Sequence, residues 1–221
     1  MDFSVKIIST NISKSKTISY NGKDVKTGIF KVPTCDEVTI DTFNIVGDEQ
    51  ADLIHHGGEH KAVYAFSSNH YDYWKGILAN KNLSYGAFGE NFSVSNLSEE
   101  DVKIGDQFRF GSTLLEVSQP RVPCFKLGIA LNNANAVKLF TKNYCTGVYF
   151  RVLEPGVAQT GDTVSIEKHA THDISIKKLF QAYFDRNYVG LERVFSKALD
   201  LETLAPEWKD KLAKRLSITS D

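Results

Sequence analysis

The sequence predicts a mainly β protein, with a β-rich domain over residues 1–168 followed by a small three-helix domain over 173–221. Three observations carry this. Up to about residue 168 the chain reads as short strands punctuated by Gly and Asp, the pattern of a barrel or a sandwich. Two of the interruptions have the residues of two-residue hairpin turns. Beyond residue 173 the apolar period becomes helical, and three separate stripes appear.

In chain order, Ile18-Ser19-Tyr20 and Lys23-Asp24-Val25 flank Asn21-Gly22, a strong hairpin signal. Strands are expected at 61–66 and 91–95. Between them Ser67 or Ser68 can cap a short helix through HYDYWKGIL. Phe108-Arg109-Phe110 and Thr113-Leu114-Leu115 flank Gly111-Ser112, a second hairpin. After Cys124, the spacing of Leu127, Ala130, Leu131 and Ala134 predicts a helix with Pro123 as its first residue and Cys124 in its first turn. Strands are expected again at 146–153 and 163–167. KIGDQFRF and QTGDTVSI echo each other; the echo is read as Gly-Asp turns launching successive strands rather than as site aspartates. In the tail the stripes are Ile176, Leu179, Phe180, Tyr183; then Leu191, Val194, Phe195, Ala198; then Trp208, Leu212, Leu216, with Pro206 starting the last helix. This tail carries no clustered chemistry and is expected to support, dock or recruit.

The chain has 221 residues, 42% hydrophobic and 24% charged, with a formal net charge of −1. So small a net charge argues against broad nucleic-acid binding, which needs a surplus of cations to displace counterions. Lys6 interrupts the apolar start, so a secretory signal is not expected, and no run is long enough to cross a bilayer. The three cysteines are widely spaced with no C-x-x-C, which disfavours a disulfide framework or structural zinc and places the protein in the cytoplasm.

Polar chemistry clusters in three stretches. In QPRVPCFKLG, Cys124 lies between Arg121 and Lys126, an electropositive setting that favours a thiolate. The bland alternatives are a surface ion pair for Arg121 and a solvated helix face for Lys126. In DLIHHGGEHKAVYAF, His55, His56 and His60 surround Gly57-Gly58 and lead to Lys61. Paired glycines let a backbone turn cradle an anion, and a tight turn with exposed histidines is the equal alternative. In GAFGENF, Asn91 could present its amide to a ligand or satisfy a local turn, the turn being the default. Cys35 and Cys145 are read as packing. Cys124 with His56 or His60 and Asn91 also has the residue types of a cysteine-protease triad.

Together the stretches TGIFK (27–31), GDEQADLIHHGGEHKAVYAF (47–66), FGENF (88–92), IGDQFRFG (104–111) and SQPRVPCFKL (118–127) closely resemble the MOSC family in its stand-alone YiiM-like branch. The tail ending LAPEWKDKLAKRL resembles the helical domain of that branch. The resemblance implies a β-barrel that binds the molybdenum cofactor, molybdopterin. It assigns Cys124 to ligating molybdenum or carrying sulfur, and Arg121 joins it as a catalytic candidate. His56, Gly57, Gly58, His60, Lys61 and Arg121 become candidates for holding the cofactor, with Asn91 and Lys126 beside them. The activity implied is reduction of N-hydroxylated compounds such as hydroxylamino purines. No Gly-rich dinucleotide loop and no iron–sulfur cysteine set is visible, so electrons are expected from a separate flavin- or iron–sulfur-type reductase. Neither nucleic acid nor membrane is an expected partner, and a homodimer is left open. Two rival readings are a sulfur carrier with a persulfide on Cys124 and a non-catalytic module that binds or delivers the cofactor.

Overall fold

The structure, a computed structural model, describes residues 5–51 and 57–219. Its centre is an eight-stranded sheet, and β6 (Val63–Ser67) explains how the sheet organises the rest. All five β6 residues are buried, because the strand is covered on both faces rather than one. Val63 and Ala65 join the main core with Phe92, Phe110, Leu115 and Phe150. Tyr64 and Phe66 face the other way, into an aromatic cluster with Tyr71, Trp74, Phe88 and Phe140. A strand covered on both sides loses polar alternation and reads as a continuous apolar run.

The sheet order is β12 (Val164–Lys168), β8 (Gln107–Phe110), β9 (Thr113–Pro120), β10 (Val148–Glu154), β6, β7 (Phe92–Val94), β1 (Ile7–Ile12) and β4 (Val32–Thr34). Neighbours are antiparallel except β6 and β7, which run parallel. The mainly β fold expected from the sequence is present, but among the described residues the sheet does not close into a complete barrel. The outer edge of β1 is shared between β4 and the turn that precedes β12. Ile7 N–H donates to Asp162 O at 2.9 Å and Gly161 N–H to Ile7 O at 2.8 Å, so a turn bridges the seam where a barrel would have a full ladder.

Two ribbons stand off the sheet. In β2 (Lys16–Tyr20) and β3 (Lys23–Thr27) the expected hairpin forms, with Asn21 at φ 52° and Gly22 at φ 74°, the left-handed pair a tight hairpin requires. The second ribbon pairs β5 (Val38–Ile40) with β11 (Gly156–Ala158). The Gly-Asp turns behave as read. Asp106 accepts from Lys103 N–H (2.8 Å) and Ala170 N–H (2.7 Å), and Asp162 from Gln159 N–H (2.9 Å).

Three short helices pack on the aromatic face or beside it: α1 (Tyr71–Ile77), α2 (Phe125–Ala130) and α3 (Ala136–Asn143). Neither Ser67 nor Ser68 caps α1 with its side chain. A 3₁₀ turn (Ser68–His70) comes first, and His70 occupies the cap position without capping the helix through its side chain. Pro123 and Cys124 lie outside α2; Cys124 is its cap residue with extended backbone (φ −124°, ψ 173°).

The tail forms α4 (Ile176–Phe184), α5 (Leu191–Leu199) and α6 (Pro206–Thr219), on the three stripes read from the sequence. Ser175 caps α4 by accepting from Lys178 N–H at 3.2 Å. The apolar faces of these helices join the sheet's own core: Leu179, Phe180, Phe195 and Trp208 belong to the cluster that holds Phe108 and Phe150. Two polar ties dock α6 on β9, from Trp208 Nε1–H to Pro120 O (3.2 Å) and from Ala205 N–H to Ser118 O (3.1 Å). Among the described residues no helix is long and apolar enough to cross a membrane.

Candidate functional site

Where β9 ends, the chain runs extended from Arg121 to Cys124, and Arg121 N–H donates to Gly147 O at 3.4 Å. That tie turns the Arg121 side chain into a cleft beside β6 and β10. The residue is 5% exposed, and its guanidinium lies 5.2 Å from the Tyr64 ring centroid and 5.3 Å from that of Phe140. Tyr149 lines the same cleft, close enough to feel the guanidinium's charge. No carboxylate pairs with it among the described residues, and its Nη1 is buried with no hydrogen-bond partner. Buried polar groups are nearly always matched, so a cation held on aromatic faces with one nitrogen unmatched is set up for an anion.

The floor of the cleft is an ion pair. Lys31 and Asp48 are joined side chain to side chain, 8% and 1% exposed, and Asp48 also accepts from Ser13 N–H (2.8 Å) and Asn91 Nδ2 (3.1 Å). Burial pushes the Lys31 pKa down, and the neighbouring Asp48 and Glu90 offset part of that. Asp48 reaches this place because Gly28 lets the two segments touch: a Cβ there would sit 2.0 Å from Glu49 O. Burial raises the pKa of both Tyr64 and Tyr149, with Arg121 opposing, so both phenols stay neutral donors. Tyr64 spends its hydroxyl on Thr146 O at 2.7 Å.

Cys124 lines this inner cleft and also an outer lobe against α6, where Glu207 and Lys211 stand. Lys61 crosses the boundary and pairs with Glu207, which Lys211 also contacts. Burial works to raise the Glu207 pKa, but the bonds to Lys211 and Lys61 prevail and lower it. The tail therefore supplies one wall of the site, which the expectation of a chemically bare tail missed. No disulfide involves Cys35, Cys124 or Cys145.

Of the residues expected at the site, Cys124, Arg121, Lys61, Asn91 and Lys126 line the one cleft. His56 lies outside the described residues. Gly57, Gly58 and His60 do not line the cleft. The reason is the 3₁₀ turn Glu59–Lys61, whose threefold geometry sends successive side chains in different directions. Lys61 points to the cleft, while His60 contacts Glu59 (3.2 Å) and feels Arg151 and Glu116. The Cys124–His60–Asn91 triad is accordingly not assembled. Asn91 is committed to the fold as well: its Oδ1 accepts from Tyr64 N–H at 3.1 Å while its Nδ2 goes to Asp48. Cys35 is exposed, not packed, and Cys145 lies half-buried in the loop before β10. Cys124 is the cap residue of a helix of six residues rather than a member of its first turn, so the cations beside it in the chain remain the reason to expect a thiolate.

Sequence reasoning passed over Lys31, Asp48, Tyr64 and Tyr149. A signal existed for the first two, since TGIFK and GDEQ were among the quoted segments, but no single residue in them stands out until the pair is seen. The donors that do meet, a thiol beside a buried unmatched guanidinium and further lysines, suit a ligand with a soft metal at one end and a phosphate elsewhere.

The sequence model of the MOSC domain matches residues 52–165, and that of the YiiM-like, 3-alpha helix domain matches residues 174–218. The uncharacterized protein YflK of Bacillus subtilis (strain 168) is 37% identical over 211 residues, 95% of this chain and 93% of its own. A Gibberella moniliformis protein named "Reductase" is 36% identical over 148 residues, 66% of this chain but 26% of its own length. The crystal structure of YiiM from Geobacillus stearothermophilus superposes with a TM-score of 0.79 at 29% identity, covering 96% of this chain and 99% of that one.

Proposed function

The chain belongs to the MOSC domain family, and from that premise we propose that its cleft binds the molybdenum cofactor (molybdopterin) and serves to reduce N-hydroxylated compounds. Hydroxylamino purine bases are the substrate class we favour, with electrons from a separate flavin- or iron–sulfur-type reductase. The observation that carries this reading is the meeting of Cys124 with a buried Arg121 whose Nη1 lacks a partner among the described residues. A relative named a reductase, matched over part of its length, is in keeping with reductive chemistry.

In this reading the Cys124 sulfur ligates the metal, and Arg121 with Lys126 holds the phosphate. When bound, the cofactor would supply oxygen-atom and electron transfer at its metal; the protein would orient it. Lys31 is already neutralised by Asp48, so the charge left for an anion comes from Arg121 and Lys126. Tyr149 stands beside the guanidinium, and as a neutral phenol it adds no competing anion. The outer lobe, between the Cys124 segment and α6, gives substrate a way to the same sulfur.

The test is to purify wild type and Cys124→Ser from a host that makes the cofactor, then measure molybdenum and oxidised-pterin fluorescence. Metal and pterin in the wild type, with metal lost from the variant, is the expected result, followed by turnover of N-hydroxylated substrates with an artificial donor. Equal metal in both removes Cys124 as the ligand. No metal or pterin in either overturns the cofactor reading and turns attention to persulfide on Cys124.

A further inference from the structure

Away from the cleft, three potential ligand atoms converge from three separate segments: His70 at the start of α1, Glu99 in the loop after β7, and Cys145 in the loop before β10. Their ligand atoms all lie within 4.8 Å of one another. His70 Nε2 is 2.9 Å from Glu99 Oε2, and Cys145 Sγ is the third atom of the converging set. Glu99 is 1% exposed and is aimed from behind, because Gly147 N–H donates to its Oε1 at 3.1 Å and Lys177 N–H to its carbonyl at 2.8 Å. His70 is steadied by the Phe66 ring, 5.4 Å away between centroids.

We infer that His70, Glu99 and Cys145 form a second metal site, suited to zinc, with three protein ligands and an outward fourth position. Nitrogen, oxygen and sulfur in one set match the ligand preferences of zinc, whereas calcium and magnesium take oxygen alone. Zinc–ligand bonds of about 2.0–2.3 Å place tetrahedral ligands about 3.3–3.8 Å apart, so small side-chain shifts close the set on an ion. Charge balances too: one thiolate and one carboxylate neutralise a divalent ion, which keeps the cost of a half-buried site low. The Gly147 contact to Glu99 is the kind of outer bond that orients a ligand. The His70 side chain is 26% exposed, which leaves a water or an exogenous ligand room to complete the shell. Lys177 is the nearby cation, and Glu100 engages it at 2.9 Å. The inference does not depend on the cofactor reading, since neither Cys124 nor Arg121 takes part.

Cobalt(II) is the probe, because a thiolate ligand gives it a charge-transfer absorption in the near ultraviolet. The full chain is titrated as Cys124→Ser, which removes the cleft thiol, and zinc affinity is then read by competition with a chromophoric chelator. The expected result is one equivalent of cobalt with the thiolate band, displaced by zinc. Cys124→Ser/Cys145→Ser should lose the band, and Cys124→Ser/His70→Asn should bind at least tenfold more weakly. Near-ultraviolet circular dichroism checks that each variant is folded. No band with cobalt in excess, or the same band in a folded Cys124→Ser/Cys145→Ser, overturns the site.

Discussion

Replacing Arg121 with methionine should separate what this residue does for the fold from what it does for a ligand. Methionine keeps much of the packing volume between Tyr64 and Phe140 and deletes the charge. The fold loses two cation–π contacts, worth about 0.5–2 kcal/mol each. Against that it is relieved of a buried, unmatched guanidinium nitrogen, a penalty of about 1–3 kcal/mol. These terms largely offset, so urea unfolding should show a change below about 2 kcal/mol. Binding has no such compensation. A charge-assisted bond to phosphate is worth about 1.5–3 kcal/mol, so affinity for the pterin cofactor should fall roughly ten- to 150-fold. Equilibrium dialysis with released cofactor, read by pterin fluorescence, measures it, and Arg121→Lys should fall between. If Arg121→Met instead loses about 3–5 kcal/mol of stability and binds the cofactor as the wild type does, Arg121 is a structural cation and the argument fails.

Two further predictions concern stability. Asp48→Asn and Lys31→Met should each cost about 3–5 kcal/mol, because each strands a buried partner; the double variant should cost clearly less than the sum, and additive losses in urea unfolding would show that the pair does not act as a unit. On the acid side, burial lowers the pKa of both His60 and His172 below the ordinary 6.5. Below that value the unfolded chain binds protons that the folded chain refuses, so stability should be full above pH 6.5 and decline as pH falls, by at most about 1.4 kcal/mol per pH unit for each histidine. His60→Gln and His172→Gln should each flatten that slope in urea titrations from pH 7 to 5, and unchanged slopes would count against both.

What the sequence made legible was local. Asn21-Gly22 specifies its hairpin through two backbone conformations, and the tail stripes specify helices through a period that needs no distant partner. Cys124, Arg121 and Lys126 were found because they lie close together in the chain. The rest of the cleft depends on pairings that only the sheet creates. Tyr149 stands opposite Tyr64 across two strands, and Lys31 meets Asp48 where the end of β3 is crossed by the following loop. Nearness in sequence also misled: His60 adjoins Lys61, yet a 3₁₀ turn points the two apart. Cys145 looked like packing for the complementary reason, its polar neighbours His70 and Glu99 being remote in the chain.

The three-helix tail bears on the site through the same cooperative structure. A helical appendage with its own core could be removed at little cost to the cleft, but here Phe180, Phe195 and Trp208 complete the core behind β9 and β10. Those two strands carry the Arg121 segment and Tyr149, so the helices help hold the position of the guanidinium. α6 then reaches forward with Glu207 to hold Lys61 at the cleft boundary. Pro206 sets the start of that helix, which puts Glu207 one residue into it and one residue before the Trp208 anchor that bonds Pro120 O. A shift of α6 along its axis would therefore move the Lys61 partner and loosen the end of β9 together, so a rigid element, not a loop, joins the outer lobe to the inner cleft.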